Sequence, residues 1–192
     1  SDNVASYDIL GNSIMILENG TGTITEIPTQ NPEQKKQITT TAPEKLPLDQ
    51  LTDFSVISYD RSRIVLINPE KGLAFAYNQG EESETIQQLP NGTRGVQFSD
   101  DGKKLLSWTD WEITVTFTRA WEVQPVRQEN HQVDIGRFSS KLSFVQWEKD
   151  YEHILFLLDK TFFVTELDDR GERNTSLIFS APSKPVRILS FG

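Results

Sequence analysis

The 192-residue sequence contains no cysteine, two histidines and one methionine, and these scarcities remove whole classes of chemistry. Without cysteine there is no disulfide scaffold, no thiolate zinc or iron–sulfur site and no cysteine nucleophile. Two histidines cannot build a three-histidine zinc site, and neither His131 nor His153 stands in a Glu-x-x-His spacing. Gly-x-Ser-x-Gly, Gly-x-Gly-x-x-Gly and Walker-type loops are missing, so a nucleophile elbow and a phosphate cradle have no sequence support. No catalytic residue, metal or cofactor is therefore expected.

Long apolar runs are lacking too. Ile154-Leu155-Phe156-Leu157-Leu158 falls far short of the roughly 20 residues that a membrane helix needs, so no span is expected in this segment. Ser1-Asp2-Asn3-Val4 has neither a basic head nor an apolar stretch, so no signal peptide is expected, and the absent initiator methionine points to a mature or excised fragment. Positive charge is in deficit: 19 Lys+Arg against 28 Asp+Glu give a net charge of −9. That field repels a phosphate backbone, and nucleic acid is not expected as a partner.

What is present is a succession of apolar, β-branched runs of four to seven residues broken by Gly, Asn, Asp and Pro, with almost no helical periodicity. The chain reads as all-β. Asn19-Gly20, Asn91-Gly92 and Asp101-Gly102 mark tight turns that tolerate positive φ. Two polar stretches break the rhythm: Thr29–Gln50, with one weak edge strand expected around Gln37–Thr41, and Arg119–His131, which holds Trp121 and Pro125. Asp168-Asp169-Arg170-Gly171-Glu172 lacks calcium-loop spacing and reads as a solvated turn. The sequons at Asn19, Asn91 and Asn174 fall at expected turns.

The runs repeat. Val96-Gln97-Phe98-Ser99-Asp100-Asp101-Gly102-Lys103-Lys104-Leu105-Leu106 aligns without a gap to the eleven residues from Val145 to Leu155, and again to Val56–Leu66. Each copy reads as strand, polar turn, strand. At the amino end, Asn12–Glu18 resembles Lys160–Glu166, but the opening strand of that unit is not obvious, so it is read as partial. The unit is a four-stranded antiparallel meander that cannot bury both faces alone, and stacking such units around an axis is the β-propeller solution.

FSDDGKKLLSW, and the parallel text WEKDYEHILFLLDKTFFVTELDDRGERN, resemble the TolB-like and WD-repeat-like propellers of bacteria, of the kind attached to PEGA domains in envelope proteins. Asp100 stands where the family's turn carries proline, and Lys149-Asp150-Tyr151 replaces the turn glycine. The resemblance implies an all-β β-propeller of four-stranded antiparallel blades, with units near residues 4–30 (partial), 52–90, 93–138 and 141–180. Residues 186–191 would be a closing or next-blade strand, so about four units make a partial ring or a small closed one. It also implies an extracytoplasmic or envelope location.

The functional expectation is a non-catalytic scaffold, part of a larger surface protein, that binds a protein partner. An oligomer through open blade edges is expected with it. Trp111, in a Thr-Asp-Trp turn, and Trp121, in the Arg119–His131 insertion, are the candidate binding residues, because large aromatics beside loops are the currency of interfaces. Trp108 and Trp147 are expected to wedge between blades. The alternative is a ligand-sensing or hydrolytic propeller with a central-channel site that includes Arg94, Gln97 and Gln146.

Overall fold

A computed structural model describes residues 3–80 and 83–183. The chain forms two compact units that divide between Arg94 and Gly95, and each contains two four-stranded antiparallel meanders. The strand expected at 186–191 lies outside the described residues.

In the first unit, β1 (Val4–Leu10), β2 (Ser13–Glu18), β3 (Ile24–Pro28) and β4 (Lys36–Gln37) form one sheet in sequence order. A single 3-10 turn, Leu51–Asp53, leads to the second sheet: β5 (Ser55–Asp60), β6 (Arg63–Asn68), β7 (Leu73–Gln79) and β8 (Glu84–Gln88). The first sheet is complete rather than partial. Its opening strand β1 pairs along β2 and includes a bulge near Ser6. The second strand alternates buried and half-buried residues, so Met15 and Leu17 enter the core while Ile14 and Ile16 face the other way. That core joins both sheets through Met15, Leu17, Ile24, Phe54, Ile64, Leu66, Phe75 and Tyr77. By contrast β6 is buried on both faces from Ile64 to Asn68, which explains its unbroken apolar run.

In the second unit, β9 (Gly95–Phe98), β10 (Lys104–Trp108), β11 (Glu112–Phe117) and β12 (Gln132–Arg137) form one meander. The other consists of β13 (Leu142–Trp147), β14 (His153–Leu158), β15 (Thr161–Glu166) and β16 (Thr175–Ser180). Leu106, Ile113, Val115 and Phe117 pack with Val145, Trp147, Ile154 and Phe156 into the shared core. Trp147 is buried there, and its indole N–H donates to the Gln97 carbonyl at 3.1 Å. Trp108 lies over Gly95, its cross-strand partner, where a β-carbon would come within 2.1 Å of the indole.

Both units clasp their inner strands in the same way. In the first, the Asp8 carboxylate on β1 accepts the Ser58 backbone N–H on β5 at 2.7 Å. In the second, the Gln97 side-chain oxygen on β9 accepts the Trp147 backbone N–H on β13 at 3.1 Å. Donor and acceptor are 50 residues apart in both cases, one sheet's length of chain plus its connection.

Candidate functional site

Trp111 follows Thr109 and Asp110 in the turn that joins β10 to β11. Thr109 folds this turn onto itself: its hydroxyl accepts the Trp111 N–H at 3.0 Å and the Glu112 N–H at 2.9 Å, and its own N–H donates to the Glu112 carbonyl at 2.9 Å. The Trp111 carbonyl accepts the Phe138 N–H at 2.8 Å, and the Asp110 carbonyl accepts the Leu142 N–H at the same distance. Lys141 pairs with Asp110 at 3.1 Å. The backbone is thus held on both sides while the indole remains 46% exposed. An immobilised turn that presents a large aromatic loses little entropy when that ring is covered.

Trp121 occupies a different place. It follows β11, whereas Trp111 precedes it, so the two indoles belong to opposite ends of a six-residue strand, roughly 20 Å long at ~3.3 Å per residue. The Arg119–His131 segment is braced by paired backbone bonds between Trp121 and Arg127, at 2.8 and 2.9 Å, and by an Arg119–Glu129 ion pair at 3.2 Å. The Gln124–Pro125 bond within it is cis. Arg127 also pairs with Asp169, in the connection between β15 and β16.

The Trp121 ring packs against the core and covers a buried cation. Lys104 opens β10 and is only 1% exposed. Its ammonium donates to the Tyr151 carbonyl at 2.7 Å, pairs with Glu152, and sits 4.2 Å from the Trp121 ring centroid. The Trp147 ring is 6.0 Å away. Burial, a carboxylate, a carbonyl and an aromatic face together replace the water that this ammonium gives up.

The first unit carries the mirror charge. The Glu26 carboxylate on β3 is 2% exposed; it accepts the Ser13 hydroxyl at 2.6 Å and the Arg61 guanidinium at 2.7 and 2.8 Å. Burial acts to raise its pKa but is outweighed by the Ser13 and Arg61 hydrogen bonds and by the charges of Arg61 and Lys36, so it ionises below the usual carboxylate range. Around it opens a cleft of about 490 Å³, lined also by Leu10, Asn12, Asp60 and Ser62. The Asp60 carboxyl is held low as well, since hydrogen bonds from Arg63 and Ser62 outweigh its burial. None of these residues stands out in the sequence, because Ser13, Glu26 and Arg61 meet only when two sheets pack.

The inner-strand polar residues are engaged in the structure. Gln97 holds Trp147, as described above, and Arg94 donates to the carbonyls of Pro69 and Glu70. Among the described residues no group of three or more His, Asp or Glu side chains is placed to hold a metal ion, and no helix is long and apolar enough to cross a membrane. His153 opens β14 and pairs with Asp150, in the turn before it, at 2.6 Å.

No family model and no curated protein matches this sequence. Solved structures do. PorZ of Porphyromonas gingivalis, an essential bacterial surface component of the type-IX secretion system, aligns with a TM-score of 0.51 and 11% identity, over 95% of this chain and 22% of PorZ. The fold is a β-propeller of four-stranded blades. Hsv2 of Kluyveromyces lactis aligns with a TM-score of 0.49 and 13% identity, over 85% of this chain and 49% of that one. The β-propeller domain of Cps50 (Swd1) from Myceliophteria thermophila aligns with a TM-score of 0.43 and 10% identity, over 87% and 53%. This propeller chain spans about half the length of the first solved structures it matches.

Proposed function

We propose that this propeller is a non-catalytic module that binds a protein partner, within a larger bacterial surface or envelope protein. The observation that carries the reading is Trp111, an exposed indole on a turn immobilised by Thr109 and by the backbone bonds to Phe138 and Leu142. Such an aromatic, ringed by the Asp110–Lys141 and Glu112–Arg137 ion pairs, has the anatomy of an interface anchor with a polar rim. The surface location draws on the resemblance to envelope propellers and on PorZ, which is itself a bacterial surface component.

The test is capture from cell-envelope extracts with the purified propeller and its Trp111→Ala variant. A specific partner held by the first and lost by the second supports the reading; equal capture by both overturns the role of Trp111. A ligand-binding propeller is the second reading, favoured by the cleft around Glu26 and Arg61. Saturable thermal stabilisation by a sugar, peptide or metal ion would move the assignment to that cleft.

A further inference from the structure

The outermost strand of each blade has one side of its backbone ladder facing outward, and proteins commonly guard such edges with charge, brevity or a covering group. Three of the four outer strands here are guarded. Strand β4 is two residues long and carries Lys36. The eighth strand begins with Glu84, whose carboxylate accepts the Thr40 hydroxyl at 3.2 Å. On β12 stand Asp134 and Arg137, and the backbone carbonyls of Asp134 and Ile135 are taken by Arg173 at 2.7 and 2.8 Å.

The fourth differs. Strand β16, Thr-Ser-Leu-Ile-Phe-Ser, is six residues long, has no charge, proline or glycine, and is exposed throughout. Leu177, Ile178 and Phe179 are 60%, 49% and 51% exposed. The strand is nonetheless paired and packed against its neighbour: Phe179 stacks on Phe162 at 4.6 Å, and Thr161 and Ser180 hydroxyls meet at 3.0 Å. Leu177 pairs across from Phe163, a residue packed against the shared core, so its exposure belongs to the strand's place at the perimeter of the blade.

We infer that β16 is a pairing edge for a second copy of this chain, joined antiparallel about Ile178 into a continuous eight-stranded sheet. The occupant follows from charge. Turned about Ile178, the strand sets Ser176 opposite Ser180, Leu177 opposite Phe179 and Ile178 opposite its own copy, so polar residues meet polar ones and the apolar centre meets itself. No like charges confront one another within the pair, whereas Lys36, Glu84, Asp134 or Arg137 would each bring its own copy close on the other three edges. An acidic or basic peptide finds no complementary charge along β16. The chain's net charge of −9 opposes association at long range, so screening strengthens this pairing, the reverse of what salt does to a basic partner docked on an acidic surface.

Sedimentation of the purified chain over a concentration series, at low and high salt, tests this. The expected result is a monomer–dimer equilibrium that tightens with salt, with slowed amide exchange in 175–180 at dimer-forming concentrations. Ile178→Lys, at an exposed position, weakens the dimer by about tenfold or more while leaving the circular dichroism spectrum unchanged. Ser176→Lys is the second variant, read out if the first unfolds. A monomer at every concentration overturns the inference, as does a dimer that both lysines leave intact.

Discussion

The Lys104 ammonium lies 4.2 Å from the centre of the Trp121 ring, pinned from the other side by Glu152 and the Tyr151 carbonyl. A cation with almost no access to solvent thus ties β10 both to the Arg119–His131 segment and to the turn that precedes β14. Lys104→Ala removes the stem, the ion pair and the carbonyl bond together and is expected to cost roughly 2–4 kcal/mol, the range for a truncated buried side chain with its hydrogen bonds. Lys104→Met keeps the stem and costs less. Denaturant titration followed by tryptophan fluorescence reads both, because Trp121 and Trp147 flank the site.

Glu26 supplies a pH dependence of defined sign. Its folded pKa lies below the ordinary value of about 4.3, so the stabilisation it provides is present above that value and is lost as pH falls through the folded pKa. In Glu26→Gln the charge is gone and the shape is kept. The stability gap between wild type and variant is expected to be widest above about pH 5 and to close in stronger acid. Asp60, Asp101 and Asp150 are held low in both proteins and cancel from the difference. A gap that does not change between pH 3 and pH 7 would contradict the assignment.

Gly95 has no room for a side chain because Trp108 fills the space, a β-carbon there falling 2.1 Å from the indole. Gly95→Ala is expected to destabilise by roughly 1–3 kcal/mol through overpacking. Trp108→Leu in the same molecule should recover part of that loss, a coupling that a double-mutant thermal-melt cycle measures directly.

Gln97→Ala withdraws the acceptor from the Trp147 N–H and is expected to cost about 1–3 kcal/mol, the penalty for a buried donor left unpaired. Gln97→Glu keeps an acceptor oxygen and should fall between the two. Faster hydrogen exchange at the Trp147 amide in Gln97→Ala alone would confirm that the bond, rather than packing, is what was lost.

Blade architecture was legible in the sequence wherever it is carried by local spacing. The Val96–Leu106 and Val145–Leu155 repeat exposes β9–β10 and β13–β14 because each hairpin's turn chemistry and apolar rhythm lie within eleven residues. The first strand was harder to place in a blade: Tyr7 and Ile9 are exposed, Asp8 is spent as a clasp, and the bulge at Ser6 disturbs the alternation. The residues between Trp111 and Trp121 include strand β11, which carries the chain from one end of the blade to the other, a separation the sequence spacing does not show. Nor could Lys104 be recognised as buried, since Trp121 and Glu152 reach it only through tertiary packing; by its local text it is an ordinary polar residue after a turn.

The two charge bridges of opposite sign bear on how a repetitive chain avoids assembling in the wrong order. In the first unit a buried carboxylate on a strand meets a basic turn residue; in the second a buried ammonium meets an acidic one. A hairpin docked in the other's place would set Glu152 against the buried Glu26, or Arg61 against the buried Lys104, and leave the buried charge facing a like one. Exchanging the hairpins would therefore cost both bridges, so charge as well as sheet shape distinguishes one neighbour from the other.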